Sequence, residues 1–504
     1  MTFVDGLPFA PRADKRSNPP GATCSETLAG ASLPLKVETQ PAQVAASNPT
    51  LASGQGETIG VVPATPRNAR LRTNAFLTAL ALLTTTAIPL TAQDLGLRPV
   101  FPETDPDRVE LGWLLFYDPI LSGNQAVSCA TCHHPDFGTS DGVSLAIGDG
   151  GLGLGPKRVV DPENPPEERI PRNAPGLWNL GASEFTRFFH DGRLELDPTQ
   201  PNGIRTPLGA DMTLGFDSPL AAQAMFPVLS GDEMAGHYSE NEVSRAVRQG
   251  LLSQPGGAWD KIAARVAAIP EYRARFDKAL PGEPISFTAM ANVIADFITF
   301  EWRADDAPFD RAMRGEVTLP EDARNGQDLF YGEAGCATCH SGWLQTDHAF
   351  HAIAMPQFGP GKAARFEPHA RDEGRMKVTG DLTDAYAFRT PSLRNVTLTA
   401  PYGHSGAYRT LEGVIRHHLD PVGALHRYQI DEAILPDLPG AGDTRILDTP
   451  ADLEAIAAAN TLAPNPLTET EITAILAFLG TLEDRAERQG IPEEVPSGLP
   501  VVGR

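Results

Sequence analysis

The chain has few cysteines. It also has too little positive charge for a protein whose main partner is a nucleic acid. Five cysteines in 504 residues are too few, and odd in number, for a disulfide framework. Lys and Arg total 41 against 64 Asp and Glu, and the net charge of -23 lacks the basic face that phosphate binding needs. Hydrophobic residues make up 41% of the chain, enough to build buried cores, which argues against a disordered protein.

Long hydrophobic runs are also scarce, and the most apolar one lies close to the start. Residues 1–66 are rich in Pro, Ala, Ser, Thr and Gly, a composition typical of segments that do not fold. Arginines then precede an apolar run over residues 75–90, the layout of a secretory signal. We therefore predict a disordered extension plus signal peptide over residues 1–92, with the signal at about 67–92. The run is short for an uncleaved anchor, the alternative interpretation, so we expect no membrane span after processing.

The pattern C-x-x-C-H occurs twice and indicates the chemistry of the protein. It is formed by Cys129, Cys132 and His133 and again by Cys336, Cys339 and His340. Two thiols at this spacing bond one porphyrin, and the adjacent histidine then lies under the iron. Zinc is the alternative, but a zinc site needs more ligands than either motif supplies. The sequence predicts two covalently attached haem c groups.

The motifs are about 200 residues apart, so each haem is expected to have its own domain. Apolar residues repeat at helical spacing over residues 290–298, and Ser239-x-x-Glu242 and Thr468-x-x-Glu471 read as capping boxes. We predict a mainly α fold with two cytochrome c-like haem domains and long loops. The N-terminal domain spans residues 93–306 and the C-terminal domain residues 307–504.

Several phrases identify a resemblance to a known family over residues 111 to about 482. They are "ELGWLLFYDPILSGNQAVSCATCHHP", "FHDGR", "LFYGEAGCATCHSG" and "FRTPSLRNVTLTAPYGHSGAYRTLEGVI". The chain resembles the bacterial di-haem cytochrome c peroxidases and their MauG-like relatives. The resemblance implies a periplasmic enzyme whose N-terminal haem reduces hydrogen peroxide to water. It also implies that the C-terminal haem relays electrons from a small cytochrome c or copper protein (cupredoxin), and it allows a homodimer.

His418 is the residue that the resemblance implies as second axial ligand of the C-terminal haem, where the usual peroxidases have Met and MauG has Tyr. The residues support it independently, because apolar positions three, four and seven residues apart line one face of a helix that Thr410 can cap. His418 ends that face, and His417 is expected to point away from it. The alternative is a hydrogen-bonded core histidine.

The N-terminal haem is predicted to have an open sixth position. Family members that rest in an inactive state carry a distal histidine where this chain has Asp149. Haem iron has little affinity for a carboxylate, and the surrounding "GDGGLGLG" loop is expected to be mobile. His237 remains an alternative ligand.

Gln223, Pro227 and Glu233 reproduce the spacing of the family's catalytic residues. Peroxide cleavage needs a group that moves a proton between the two oxygens and polar groups that stabilise charge. The resemblance therefore implies Glu233 as the acid and base. Without the resemblance, Glu233 would read as a solvated carboxylate.

Two further positions bear on electron transfer, and a set of three residues bears on metal binding. His190 stands where relatives have a tryptophan between the haems, and Trp178 is either a substitute or a packing residue. The resemblance also implies a calcium ion at Asn173, Thr399 and Pro401, whose oxygen atoms suit that ion. The alternative is a plain hydrogen-bonded turn.

Three functions are therefore open at the level of sequence. The first is a di-haem peroxidase and the second a MauG-like oxidase that acts on a protein or organic substrate. The third is a di-haem electron carrier without turnover, for which Glu233→Gln would change nothing.

Overall fold

A computed structural model describes residues 94–362, 367–486 and 488–504. The predicted extension and signal peptide over residues 1–92 lie outside the described residues.

The described part of the chain is rich in helix. Its α-helices are α1 (Pro106–Tyr117), α2 (Cys129–Cys132), α3 (Pro219–Gln223), α4 (Glu242–Arg248), α5 (Ala258–Ala268), α6 (Pro270–Ala279), α7 (Phe287–Glu301), α8 (Pro308–Met313), α9 (Glu321–Tyr331), α10 (Met376–Thr379), α11 (Leu411–Leu419), α12 (Pro421–Arg427), α13 (Pro450–Ala458) and α14 (Glu469–Gly480). Long loops and short 3-10 turns connect them. The mainly helical character predicted from the sequence is confirmed.

Strands are few and short. They are β1 (Gly151–Leu152), β2 (Val159–Val160), β3 (Arg187–Phe188), β4 (Leu194–Leu196), β5 (Ile204–Arg205), β6 (Phe350–His351) and β7 (Phe388–Arg389). All pairings are antiparallel: β1 with β2, β4 with both β3 and β5, and β6 with β7. Phe350 lies opposite Arg389 in the last pair, which joins the loop after the second C-x-x-C-H motif to a later segment of the chain.

Helix α1, which precedes the first C-x-x-C-H motif, packs on α7 through a glycine. Asp105 caps α1 by accepting hydrogen bonds from the backbone N–H groups of Asp107 (2.8 Å) and Arg108 (3.3 Å). A Cβ atom on Gly112 would lie 1.9 Å from the carbonyl oxygen of Val293. Only glycine therefore allows the two helix backbones to approach this closely.

The same arrangement recurs before the second motif, where α9 packs on α14. A Cβ atom on Gly326 would lie 1.8 Å from the carbonyl oxygen of Ala474. The predicted capping box of α14 is confirmed, because Thr468 Oγ1 accepts from the Glu471 N–H (3.3 Å) and Glu471 Oε2 accepts from the Thr468 N–H (2.6 Å). Each motif thus follows a helix whose glycine contacts the backbone of a later helix.

The capping box predicted at Ser239 and Glu242 is wrong. Asn241 caps α4 instead, and its Oδ1 accepts from the N–H groups of Val243 and Ser244 at 2.8 Å each. Ser239 has a φ of 74° and stands in the turn before the helix. Asn is as good a cap as Ser, and the spacing rule could not choose between them.

Two main apolar clusters lie in different parts of the sequence. The first contains buried side chains mostly within residues 109–304. The second contains Leu95 and buried side chains within residues 309–482. The C-terminal segment returns to the first cluster, which Val495 and Val501 join.

Candidate functional site

The first C-x-x-C-H motif forms a single helical turn with its histidine held by the backbone. Cys129 and Cys132 are the first and last residues of α2, and burial raises the pKa of each thiol to about 12. His133 Nδ1 lies 3.0 Å from the carbonyl oxygen of Thr139 and donates to it. This bond fixes the tautomer and leaves Nε2 free for a metal.

The second motif repeats this arrangement. Cys336 begins a 3-10 turn that ends at Thr338, and His340 Nδ1 lies 3.1 Å from the carbonyl oxygen of Gln345. Burial and the neighbouring His418 lower the pKa of His340 to about 4, so its ring is neutral and Nε2 can act as a ligand.

His418 faces His340 across a gap of the right size for an iron. Thr410 Oγ1 caps α11 by accepting from the Gly413 N–H (3.0 Å), as predicted. His418 Nδ1 donates to the carbonyl oxygen of Val414 (2.7 Å), so Nε2 is again free. The ring centres of His340 and His418 are 6.5 Å apart. An iron bound by both Nε2 atoms at about 2 Å each would separate the ring centres by about 6 Å.

His417 is not available for such a role. It is 1% exposed, and its Nδ1 is 3.0 Å from the Tyr408 hydroxyl while Nε2 is 2.8 Å from the carbonyl oxygen of Ile353. The side chain points away from His340, as expected, and is bonded to Tyr408 and Ile353 in the protein interior.

Gln223, Pro227 and Glu233 lie on consecutive short turns of the chain. Gln223 ends α3, Pro227 begins a 3-10 turn and Glu233 is in a π turn. Burial raises the pKa of Glu233 to about 7, although Arg193 opposes the rise. The charge of Glu233 in turn raises the pKa of the Cys132 thiol, so the carboxyl group is near the motif.

Gln223 contributes an unsatisfied polar atom to this side of the motif. Its Oε1 is buried and has no hydrogen-bond partner within the described residues. Buried amide oxygens normally have a partner. A bound molecule that donates a hydrogen bond would supply one.

The Asp149 carboxylate is already engaged by the protein. Oδ2 accepts from Asn124 Nδ2 (2.6 Å) and Oδ1 from the Gly150 N–H (3.1 Å). The Asp149 N–H donates to the carbonyl oxygens of Asp232 (3.2 Å) and Glu233 (3.1 Å), which joins this loop to the π turn. His237 Nε2 is 3.4 Å from the carbonyl oxygen of Asp149.

The glycine-rich loop around Asp149 is held in place, which differs from the mobility expected from its sequence. Arg158 donates three hydrogen bonds, to the carbonyl oxygens of Ile147 (2.7 Å), Gly148 (2.6 Å) and Gly153 (2.7 Å). Composition alone indicated only flexible backbone. Arg158 follows the loop by only three residues, but the sequence does not show that its side chain turns back onto these carbonyl oxygens.

His190 and Trp178 are both tied to backbone carbonyls. His190 Nε2 lies 3.0 Å from the carbonyl oxygen of Asn173, and burial together with Arg172 lowers the pKa of His190 to about 4. Trp178 is buried and donates from Nε1 to the carbonyl oxygen of Gly138 (2.9 Å). His190 is therefore a neutral group at physiological pH.

The three candidate calcium ligands come from two segments that contact each other. The Asn173 N–H donates to the carbonyl oxygen of His404 (2.9 Å), and Asn173 Nδ2 donates to that of Val143 (2.8 Å), which leaves Oδ1 as a free acceptor. In the part of the chain that the structure describes, the carbonyl oxygens of Thr399 and Pro401 accept no hydrogen bond. These oxygens fit a calcium ion, which prefers carbonyl and amide ligands.

The sequence reasoning assigned no role to three arginines that organise these sites. Arg158 holds the Asp149 loop, and Arg193 lies near Glu233. Arg389 in β7 lies beside the loop of the second motif. Arg193 and Arg389 occur in the phrases "FHDGR" and "FRTPSLRN", which are visible in the sequence. Their roles depend on neighbouring side chains in the folded protein, which the sequence does not show.

No helix in the described segments is long and apolar enough to cross a membrane.

Comparisons with known proteins agree with the resemblance. Residues 106–318 match the family model for di-haem cytochrome c peroxidases. The methylamine utilization protein MauG of Methylorubrum extorquens is 33% identical over 320 residues, which cover 62% of this chain and 69% of that protein. The cytochrome c551 peroxidase of Nitrosomonas europaea is 28% identical, with 63% of this chain and 74% of that protein covered.

Solved structures show a similar fold. A MauG-like protein associated with microbial copper homeostasis superposes with a TM-score of 0.51 at 27% identity, over 77% of this chain and 94% of that chain. The diheme peroxidase BthA of Burkholderia thailandensis gives a TM-score of 0.52 at 19% identity, over 80% and 92% of the two chains. The chain belongs to the di-haem cytochrome c peroxidase and MauG family, and it is an oxidoreductase with a di-haem peroxidase function.

Proposed function

We propose that the protein is an exported, periplasmic peroxidase with two covalently attached haem c groups. One haem is bound through Cys129 and Cys132 with His133 as axial ligand, and the other through Cys336 and Cys339 with His340. The N-terminal domain, residues 93–306, carries the peroxide-reacting site. The C-terminal domain, residues 307–504, takes electrons from a small cytochrome c or cupredoxin.

The C-terminal haem is proposed as a relay because two histidines close its coordination. His340 and His418 each have Nδ1 bound to a carbonyl oxygen, and their ring centres are 6.5 Å apart. With both axial positions filled, peroxide has no place to bind. Such a haem is suited to exchanging electrons only.

The N-terminal haem is proposed to have an open sixth position. Both Asp149 carboxylate oxygens accept hydrogen bonds from the protein. A carboxylate whose two oxygens are already hydrogen-bonded within the protein would be a poor ligand for a haem held at His133. We therefore propose that the fully oxidised protein reacts with peroxide without prior reduction.

A haem held by Cys129, Cys132 and His133 would supply the redox chemistry that cleaves the O–O bond of peroxide. The overall reaction consumes one H₂O₂, two protons and two electrons and releases two waters. Glu233 would take a proton from one oxygen of the peroxide and return it to the other oxygen, the one that leaves as water. A pKa near 7 suits both transfers. Gln223 Oε1 accepts a hydrogen bond from the bound peroxide, and Pro227 shapes the turn between them.

A calcium ion is proposed at Asn173 Oδ1 and the carbonyl oxygens of Thr399 and Pro401. The ion would join the segment that contacts His190 to the loop that contains His404, and so hold the region between the haems. A homodimer is also consistent with the family.

The observation that carries the proposal is a half-buried carboxyl group near the first motif, Glu233, whose pKa is raised to about 7. The buried Oε1 of Gln223, which has no hydrogen-bond partner within the described residues, supports it. Stopped-flow absorbance tests it. The holoprotein is mixed with hydrogen peroxide, first fully oxidised and then after one-electron reduction. We expect rapid reaction of the oxidised form. Reaction only after reduction would contradict the open site, and inertness in both states would favour an electron carrier.

A MauG-like oxidase is the second candidate, and the absence of methionine at position 418 favours it. In place of a small electron donor, such an enzyme would oxidise a protein or organic substrate. Steady-state turnover with reduced cytochrome c separates the two, because a peroxidase consumes the donor in a ratio of two electrons per peroxide. His190 weakens the oxidase proposal, since an imidazole conducts oxidising equivalents less readily than an indole.

A further inference from the structure

The region between the two motifs is rich in buried arginines that have carboxylate partners. Arg172, for example, lies 2.6 Å from both Asp191 and Asp372. Such pairing is the rule, because an unpaired buried charge is costly.

Arg389, which is half-buried, departs from this rule. Within the described residues it forms no ion pair. Its Nε and Nη1 donate only to the carbonyl oxygens of Phe189 and Thr390, both at 3.3 Å, at the long end for hydrogen bonds. Burial alone lowers the pKa of Arg389 to about 10, with no neighbouring acid to oppose it. No acidic side chain within the described residues therefore pairs with the Arg389 guanidinium, which leaves it able to bind an anion.

His348 is a second unsatisfied group at the same place. Both ring nitrogens are buried without a hydrogen-bond partner in the described segments. Glu184 Oε1 is 3.7 Å from His348 Nε2, which is too long for a hydrogen bond. The Phe185 ring contacts both groups, with its centre 4.8 Å from that of His348 and 5.8 Å from Arg389 Cζ.

Backbone contacts connect these groups to the second haem motif. The Thr390 N–H donates to the carbonyl oxygen of Ala349 (2.9 Å), and Thr346 Oγ1 donates to that of Thr390 (2.8 Å). Gln345, one residue earlier, provides the carbonyl oxygen that holds His340 Nδ1. Arg389 and His348 therefore adjoin the loop that follows the motif.

We propose that Arg389 and His348 bind a propionate carboxylate of the C-terminal haem. This rests on the proposed attachment of haem to the second motif. A propionate is an anion whose two oxygens match the fork of a guanidinium, and one oxygen can also accept from the imidazole. The pair then raises the reduction potential of the relay haem. If the pair were removed, the negative charge of the propionate would be uncompensated and would favour the oxidised iron.

The test is a spectroelectrochemical titration of both haems in the Arg389→Gln holoprotein. We expect the ratio of reduced to oxidised C-terminal haem at a fixed potential to fall about tenfold, which corresponds to about 59 mV for one electron. Arg389→Lys keeps the charge and should retain most of the wild-type potential.

Arg187→Gln is a matched control. Arg187 Nη1 donates to the carbonyl oxygen of His348 (3.1 Å), but its Nε is 3.5 Å from Glu195 and its side chain is 42% exposed. Its charge is already compensated, so we expect little change in the potential of either haem. A shift as large as that of Arg389→Gln would overturn the proposal, because the loss of any nearby cation would then lower the potential of the C-terminal haem equally.

Haem content measured on the same samples distinguishes a failure of this inference from a failure of the proposed function. Two haems per chain with an unchanged C-terminal potential would overturn this inference alone, as would a shift confined to the N-terminal haem. A wild-type protein without haem at the second motif would overturn the proposed function itself. If Arg389→Gln does not fold, His348→Asn replaces it, since Asn tolerates the φ of 52° at this position, and the same direction of shift is expected.

Discussion

The histidines of the two C-x-x-C-H motifs are held alike, but their surroundings differ in what lies on the opposite side. His133 and His340 each donate from Nδ1 to a backbone carbonyl a few residues later. The C-terminal motif is faced by His418, whose ring centre is 6.5 Å from that of His340. The N-terminal motif has the half-buried carboxyl group of Glu233 nearby. Gln223 Oε1, ten residues earlier in the chain, has no hydrogen-bond partner within the described residues. Under the proposed function, the same motif serves an electron relay in the C-terminal half and peroxide chemistry in the N-terminal half.

The difference rests on a few side chains rather than on the fold. Both halves use a helix whose glycine contacts a later helix, at Gly112 and at Gly326. What separates them is a histidine on α11 and an acid on a π turn. Substitutions at these positions should therefore exchange the properties of the two sites.

The largest effect is expected from Glu233→Gln. Removing the group that moves the proton should slow the peroxide step by about a hundredfold or more. Stopped-flow absorbance measures the step, and equal haem content shows that the site is intact. Asp232→Asn, in the same turn, is the matched control and should leave the rate within a few-fold. An unchanged rate in Glu233→Gln would make the N-terminal haem an electron carrier.

The next largest effect is expected from Asp149→His, which would make the N-terminal site resemble the C-terminal one. A histidine at this position can bind the iron, and reaction of the fully oxidised form with peroxide should then fall at least about tenfold. One-electron reduction should restore it if the new ligand is released. Asp149→Asn removes the charge without adding a ligand and should react as fast as the wild type.

A smaller effect, on potential rather than on rate, is expected from His418→Met. Methionine ligation raises haem potential, here by on the order of 100 mV within the range of about 0.8 V that axial ligands span. Spectroelectrochemistry measures the shift. His417→Gln should leave the potential unchanged, because His417 bonds Tyr408 and Ile353 and does not face His340. Equal potentials in His418→Met and wild type would remove His418 from the coordination sphere.

The smallest effect is the pH dependence of the peroxide step. Burial raises the pKa of Glu233 to about 7, so the carboxylate form that accepts the first proton is depleted below that pH. The rate should therefore increase up to about tenfold between pH 6 and 8. The slope should vanish in Glu233→Gln. A rate independent of pH in the wild type would place the titrating group elsewhere.

Patterns with a strict spacing were predicted correctly from the sequence. The two motifs, the helix over residues 290–298, the capping box at Thr468 and the family were all accessible, because each depends on residues that are close in the chain. The cap of α4 was not, since Asn241 and Ser239 satisfy the same local preference. Local rules rank such alternatives poorly when both residue types cap well.

Properties that depend on where side chains point in three dimensions could not be predicted. The "GDGGLGLG" loop reads as mobile, but Arg158 holds it through three carbonyl oxygens. His417 and His418 are adjacent in sequence, yet one is bonded at both nitrogens and the other keeps Nε2 free. Arg389 is one arginine among many until the absence of an acid within the described residues distinguishes it.

The sequence by itself determined the cofactor class, the helical character and the family, because two C-x-x-C-H motifs and a set of long phrases are specific without any knowledge of contacts. Only the tertiary structure decided how far apart the rings of His340 and His418 lie, how the Asp149 carboxylate is occupied and how far burial moves the pKa of Glu233. Ligand geometry and desolvation depend on atoms brought together from distant parts of the chain, and spacing along the sequence does not encode those distances.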